Sequence, residues 1–153
     1  MRDAYLFGLM LKNRNTVISK VENLPADKRI VVPQGFNNNI HWQLGHLLTV
    51  TSAILFRFSG RDSVVPDDYQ AFFGNGTKPA DWNGEPPAWD TLIQGLTEQC
   101  KLIEDTFTGK LGEPLAIKDN FAKAETVGEA FAVNLGHENY HLGMINAMLR
   151  VLG

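Results

Sequence analysis

Apolar positions recur along this chain at helical spacing, with charged and amide residues between them, in four separate stretches. In the first, Leu6, Leu9, Met10, Val17, Val21 and Leu24 share one helix face, and Pro25 ends the run. The second, from about Ile40 to Phe58, carries Ile40, Leu44, Leu47, Leu48, Thr51, Ile54, Leu55 and Phe58, and Gly60 closes it. Asn37, Asn38 and Asn39 precede it and can supply an N-cap, because an amide oxygen accepts from free backbone N–H groups. The third opens near Pro87 and aligns Trp89, Leu92, Ile93, Leu96, Cys100, Ile103 and Phe107 before Gly109. The fourth begins at Thr126, where Thr126 and Glu129 have capping-box spacing, and runs on to the end of the sequence.

Strand signals are weak. Ile30-Val31-Val32 and Leu115-Ala116-Ile117 could pair, but neither alternates over enough residues. Between the second and third stripes lies a long joint, Arg61 to Pro87, rich in Gly, Pro and Asp, with a short aromatic element at Tyr69–Phe73. Loops of this length are uncommon in a compact domain and often cover a site. The pattern therefore predicts an all-α single domain over residues 1–153, a four-helix bundle with one long connection between its second and third long helices.

Composition narrows the function more than the fold. With 153 residues and 44% hydrophobic content, the chain can bury an adequate core without a disulfide or a structural metal. One cysteine, Cys100, fits a reducing compartment, and its place in an apolar stripe makes it an inert core residue. The first residues lack the long apolar run and small-residue cleavage site of a signal peptide. No apolar stretch reaches the ~20 residues of a membrane span. A net charge of −3, with no basic block, argues against nucleic acid as a partner. The expectation is a cytoplasmic protein acting on a small molecule.

The fourth stripe breaks its own rule. Val127, Ala130, Phe131, Leu135, Leu142, Ile145, Leu149 and Leu152 define the buried face, yet Asn134, Glu138 and His141 fall inside it and His137 lies at its edge. Buried polar groups are costly unless hydrogen-bonded, paired or metal-bound, so this run asks for a shared explanation. His137 and His141 are four apart and project from one helix face toward a common point. His46, on the second helix, is the third candidate ligand, although that helix is apolar almost all round and periodicity cannot place the ring. Three imidazoles from two helices would leave coordination positions open, as catalytic sites do. His41 is five residues before His46 and is expected to face solvent or the rim of a pocket.

His137-Glu138-Asn139-Tyr140-His141 also matches the H-E-x-x-H pattern of zinc proteases, in which the glutamate is the general base. The extended motif would need Gly at 144 and His at 147, where this chain has Met144 and Ala147, and no glutamate follows Glu138 to act as a downstream ligand. Glu138 thus stands as a candidate catalytic base, as an orienter of a histidine, or as the partner of a Lys or Arg on another helix.

Two segments together resemble a known family. Asn38-Asn39-Ile40-His41-Trp42-Gln43-Leu44-Gly45-His46-Leu47-Leu48 looks like the second-helix signature of DinB-like (YfiT-like) proteins, and His137-Glu138-Asn139-Tyr140-His141-Leu142-Gly143-Met144-Ile145 looks like their last-helix signature. The resemblance implies an up-down-down-up four-helix bundle. It also implies a divalent metal, zinc or nickel foremost and iron or manganese less so, on His46, His137 and His141. It further implies a homodimer, and in related branches the transfer of low-molecular-weight thiols such as mycothiol or bacillithiol. Three functional classes follow: a metal-dependent thiol transferase or hydrolase, a stress-response binding module whose metal is structural or incidental, and a metal-free helical interaction protein.

Overall fold

The computed structural model describes residues 2–153. Four long helices dominate: α1 (Asp3–Val21), α3 (Ile40–Thr51), α5 (Trp89–Phe107) and α6 (Val127–Leu152). Two short ones, α2 (Ala26–Arg29) and α4 (Tyr69–Phe73), sit in the connections. The helix that begins at Ile40 continues past Thr51 as a π-helical segment, Ser52–Arg57. Periodicity gives no sign of that change in winding. Both predicted caps are present: Asn39 accepts from the Trp42 N–H at 2.8 Å, and Thr126 and Glu129 close a reciprocal capping box.

Side-chain pairings fix the helix directions. Asp3 accepts from the backbone N–H of Gly109, and Arg14 donates to Gln99, so α1 and α5 run antiparallel. Phe7 meets Phe131, and Asn13 donates to Asn139, so α1 and α6 run parallel. Gln43 faces His141, His46 faces His137, and Thr51 donates to Asn134, so α3 opposes α6. His41 lies beside Trp89, and Gln99 donates to the carbonyl of Leu48, so α3 and α5 descend together. Each long helix packs on two others, α1 and α3 each touching α5 and α6. The bundle is up-down-down-up, with α1 and α3 on one diagonal.

That topology explains the long joint. Two consecutive parallel helices need a connection that returns the length of the bundle, about 27 Å for an 18-residue helix at ~1.5 Å per residue. Residues 58–88 supply it, carrying α4 and a single 3₁₀ turn, Pro79–Asp81. Neither candidate strand forms. Ile30, Val31 and Val32 are exposed in a loop, and the 115–117 piece contributes only an isolated bridge beside it, Pro114 to Thr126.

The interior divides into two apolar clusters. One gathers Val17, Val21, Ile40, Leu44, Leu92 and Ile145; the other gathers Phe7, Met10, Ile54, Ile103, Phe107 and Phe131. Between them lies a polar layer to which every long helix contributes. Arg14, fully buried, donates from Nε and Nη2 to Glu138 Oε1 at 2.9 and 2.7 Å. Its Nη2 also reaches Thr51 and Gln99, while Asn134 donates to the same carboxylate oxygen. The α1 stripe is thus Phe7, Met10, Arg14, Val17 and Val21, with a cation in its centre. Cys100 is buried in the second cluster, and loss of solvent pushes its thiol up to about 11, so it stays protonated and inert as expected.

Candidate metal centre

The site grows from two helices and the end of a third. On α3 every residue from Ile40 to Thr49 is buried, because α5 and α6 cover two sides and the 58–88 connection covers another. His46 is therefore interior, 4% exposed, with its ring stacked on Trp42 at 4.3 Å. His137 and His141 enter from α6, one turn apart. His141 is buried, and His137 lies at the edge of the buried face. One ring nitrogen of each of the three histidines lies within 4.8 Å of the others, and His46 Nε2 and His137 Nε2 are 3.2 Å apart.

The surrounding acceptors decide which nitrogens are bare. Phe73 is the last residue of α4, where helix carbonyls have no intrahelical donor. Its oxygen lies 2.7 Å from His46 Nδ1, and a carbonyl can only accept, so His46 carries its proton on Nδ1. Gln43 Oε1, 2.6 Å from His141 Nδ1, fixes the same tautomer there. Both rings then present an unprotonated Nε2. His137 Nδ1 is buried without a partner. Two nitrogens each ~2.05 Å from a tetrahedral ion sit about 3.3 Å apart. The His46–His137 spacing suits a shared cation.

Protons compete poorly for these nitrogens. Burial lowers the pKa of His46. Burial and then the neighbouring His46 push His137 down to about 4, and burial with His46 and His137 brings His141 to about 3. A pocket of three largely neutral imidazoles, with two bare lone pairs turned inward, could hold a divalent metal ion.

The α4 end is itself clamped. Phe72 O accepts from Trp82 Nε1 at 2.8 Å, Gly74 O accepts from Thr77, and Trp42 Nε1 donates to Thr77 Oγ1. Gly45 makes room for this, since a Cβ there would overlap the Phe73 ring. Gly45→Ala should therefore push Phe73 off α3 and take its carbonyl from His46. The expected result is a 10- to 100-fold loss of zinc affinity, roughly that of losing a partner of a metal-bound histidine. Competition titration against a chromophoric chelator would read it, and unchanged affinity would show that the Phe73 carbonyl does not matter.

One sequence expectation changes here. His41, expected at the surface or a rim, is 7% exposed, hydrogen-bonded through Nε2 to Pro87 O at 2.8 Å and walled by Phe73, Trp82 and Trp89. The folded-back connection buries it, and His41 anchors that connection to α3. Of the three readings of Glu138, the structure shows the ion pair. Its Oε1 is taken by Arg14, Thr51 and Asn134, none of them a histidine. Sequence reasoning misses Arg14 itself, though its position between Met10 and Val17 on the apolar face is a signal.

An all-α bundle with three histidines from two facing helices converging on one point is a metal-binding helical protein by class. The profile of the DinB superfamily matches residues 10–145, and the chain belongs to that superfamily. No curated protein matches it.

Proposed function

We propose that His46, His137 and His141 hold one divalent ion, zinc or nickel before iron or manganese, and that the protein is a metal-dependent enzyme acting on a small molecule. The observation that carries this reading is the pair of Nδ1 acceptors, Phe73 O and Gln43 Oε1, which turn two bare Nε2 atoms inward. Three protein ligands leave coordination positions open, the arrangement of catalytic rather than structural sites. A bound divalent ion supplies Lewis-acid activation of a thiol or of water for attack on an electrophile.

The chain's own residues do the rest. The Phe73 and Gln43 oxygens hold two imidazoles in the ligating tautomer and make them better donors. Trp42, stacked on His46, and Phe73 of the 58–88 connection close off one side of the site. Glu138 and Arg14 fix α6 against the other three helices at the level just beyond His137. Transfer of a low-molecular-weight thiol is the first reaction proposed and hydrolysis the second, in a cytoplasmic homodimer. Among the described residues no helix is long and apolar enough to cross a membrane.

Metal content of untagged protein, measured by mass spectrometry beside His46→Ala and His141→Ala, tests the site. About one ion per chain in the wild type, falling below about a tenth in both variants, is expected for a three-ligand site. A wild type that stays empty after incubation with zinc and nickel would end the enzyme reading.

A further inference from the structure

A cavity of about 380 Å³ reaches the histidines from one side. His46 and His137 form its floor, and His141 is not part of its lining. Its walls are Val50, Ala53, Ile54 and Phe58 from the α3–π helix, with Phe121 opposite. Its only other polar side chains are the amides of Gln70 and Asn75. A larger hollow, about 480 Å³, lies between α3 and α5 but touches no histidine.

Two features mark this cavity as a binding site rather than a packing gap. Phe121 is 75% exposed, yet it stands edge-to-face on Phe58, with centroids 5.7 Å apart, at the cavity's edge. Its loop is built to hold it there. Asn120 donates to Ile117 O and Ala124 O and accepts from the Ala124 N–H, while Lys123 takes a left-handed φ of 51°. A pinned loop thus keeps a large aromatic in water at the rim of an apolar cavity, where a ligand could stack on it. The second feature is charge. Apart from the two histidines, no lining residue can ionise. Arg57 and Asp67 line a separate hollow beyond Ala53 and Gln70. In the metal-free cavity a charged ligand would lose its hydration and find no counter-ion, and an ion held by the histidines would repel a cationic ligand further.

We infer that this cavity binds an uncharged, mostly apolar organic molecule, about the size of a substituted benzene, through Phe121, Phe58 and Ile54. Gln70 or Asn75 would orient one carbonyl or amide group of it beside the histidines. The inference rests on the metal reading only for the role of that molecule, the electrophile that an activated thiol or water attacks. A charged or strongly polar thiol would have to approach by another path.

Three probes of one shape test it: benzamide, benzenesulfonate and benzylammonium, titrated by ligand-observed NMR into zinc-treated and EDTA-treated full-length protein. Benzamide should bind EDTA-treated protein at least tenfold more tightly than either ion, and zinc-treated protein at least tenfold more tightly than benzylammonium. Ala53→Phe, which fills the cavity, should abolish its binding. Phe121→Ala, an exposed change that should lower the thermal melt by no more than a few degrees, should weaken it severalfold and decides the matter if Ala53→Phe does not fold. No benzamide binding, equal binding of an ion by EDTA-treated protein, or benzamide binding unaffected by Phe121→Ala would overturn the inference. Zinc stoichiometry is measured on the same samples. Bound zinc with no preference for benzamide over benzylammonium sinks the cavity reading alone, and a benzamide preference without bound zinc sinks the metal reading alone.

Discussion

Arg14→Met is expected to cost about 3–5 kcal/mol of folding stability, because it leaves the Glu138 carboxylate buried with no cation. Arg14 is fully buried and Glu138 is 2% exposed, and their closest approach is 2.7 Å. Water cannot take over the lost partner, and the change also strips donors from Thr51, Gln99 and the Leu47 carbonyl. The double variant Arg14→Met/Glu138→Leu should recover at least half of the loss, since removing both charges ends the penalty of one. Urea unfolding of the three proteins measures this. A single-variant cost below about 1 kcal/mol, in the range of exposed pairs, would mean that solvent reaches the layer.

The second large effect is on acid. For the metal-free protein, His137 and His141 have pKa values of about 4 and 3 against an ordinary 6.5, so the folded state resists protonation that the unfolded chain accepts. The contribution is fully present above pH 6.5. It is lost as pH falls from 6.5 toward 4 and levels off below 3, because the unfolded state binds more protons throughout that window. Each tenfold weakening of proton binding is worth about 1.4 kcal/mol, and mutual repulsion between the rings counts once, so the loss is on the order of several kcal/mol. A bound metal ion should delay it, because protons must then displace the ion as well. Thermal melts at pH 7.0, 5.5 and 4.5, with and without zinc, check this against His137→Ala/His141→Ala. A slope that survives in the double variant would place its origin elsewhere.

Much of this architecture is legible in the chain, and the reasons are local. Apolar spacing, Asn39 and the Thr126–Glu129 pair mark helix faces and starts because those signals act within a turn or two. Asn134, Glu138 and His141 are identifiable as buried because they interrupt a strong stripe. Other features depend on residues far away in sequence. Arg14 interrupts the first apolar stripe, but its partners lie on three other helices and nothing local names them. His41 is buried by Trp82, Trp89 and Pro87, which return to it only through the 58–88 crossover. The oxygen that sets the His46 tautomer belongs to the backbone of Phe73, and no side-chain pattern reports a carbonyl. Ser52–Arg57 changes winding without changing which residues are apolar, so its π geometry leaves no periodic trace.

The histidines that meet in the bundle are 91 positions apart in the chain. An ion joining them would act as a removable staple across most of the molecule, closing a loop of the size at which a covalent crosslink restrains the chain most. Unlike a disulfide, such a staple has no hold on the unfolded chain, where the three rings are scattered and solvated. Its influence falls on the way out rather than the way in. The helices can assemble without it, whereas α6 could not leave α3 until the ion had been released, so the lifetime of the folded state would follow the metal supply.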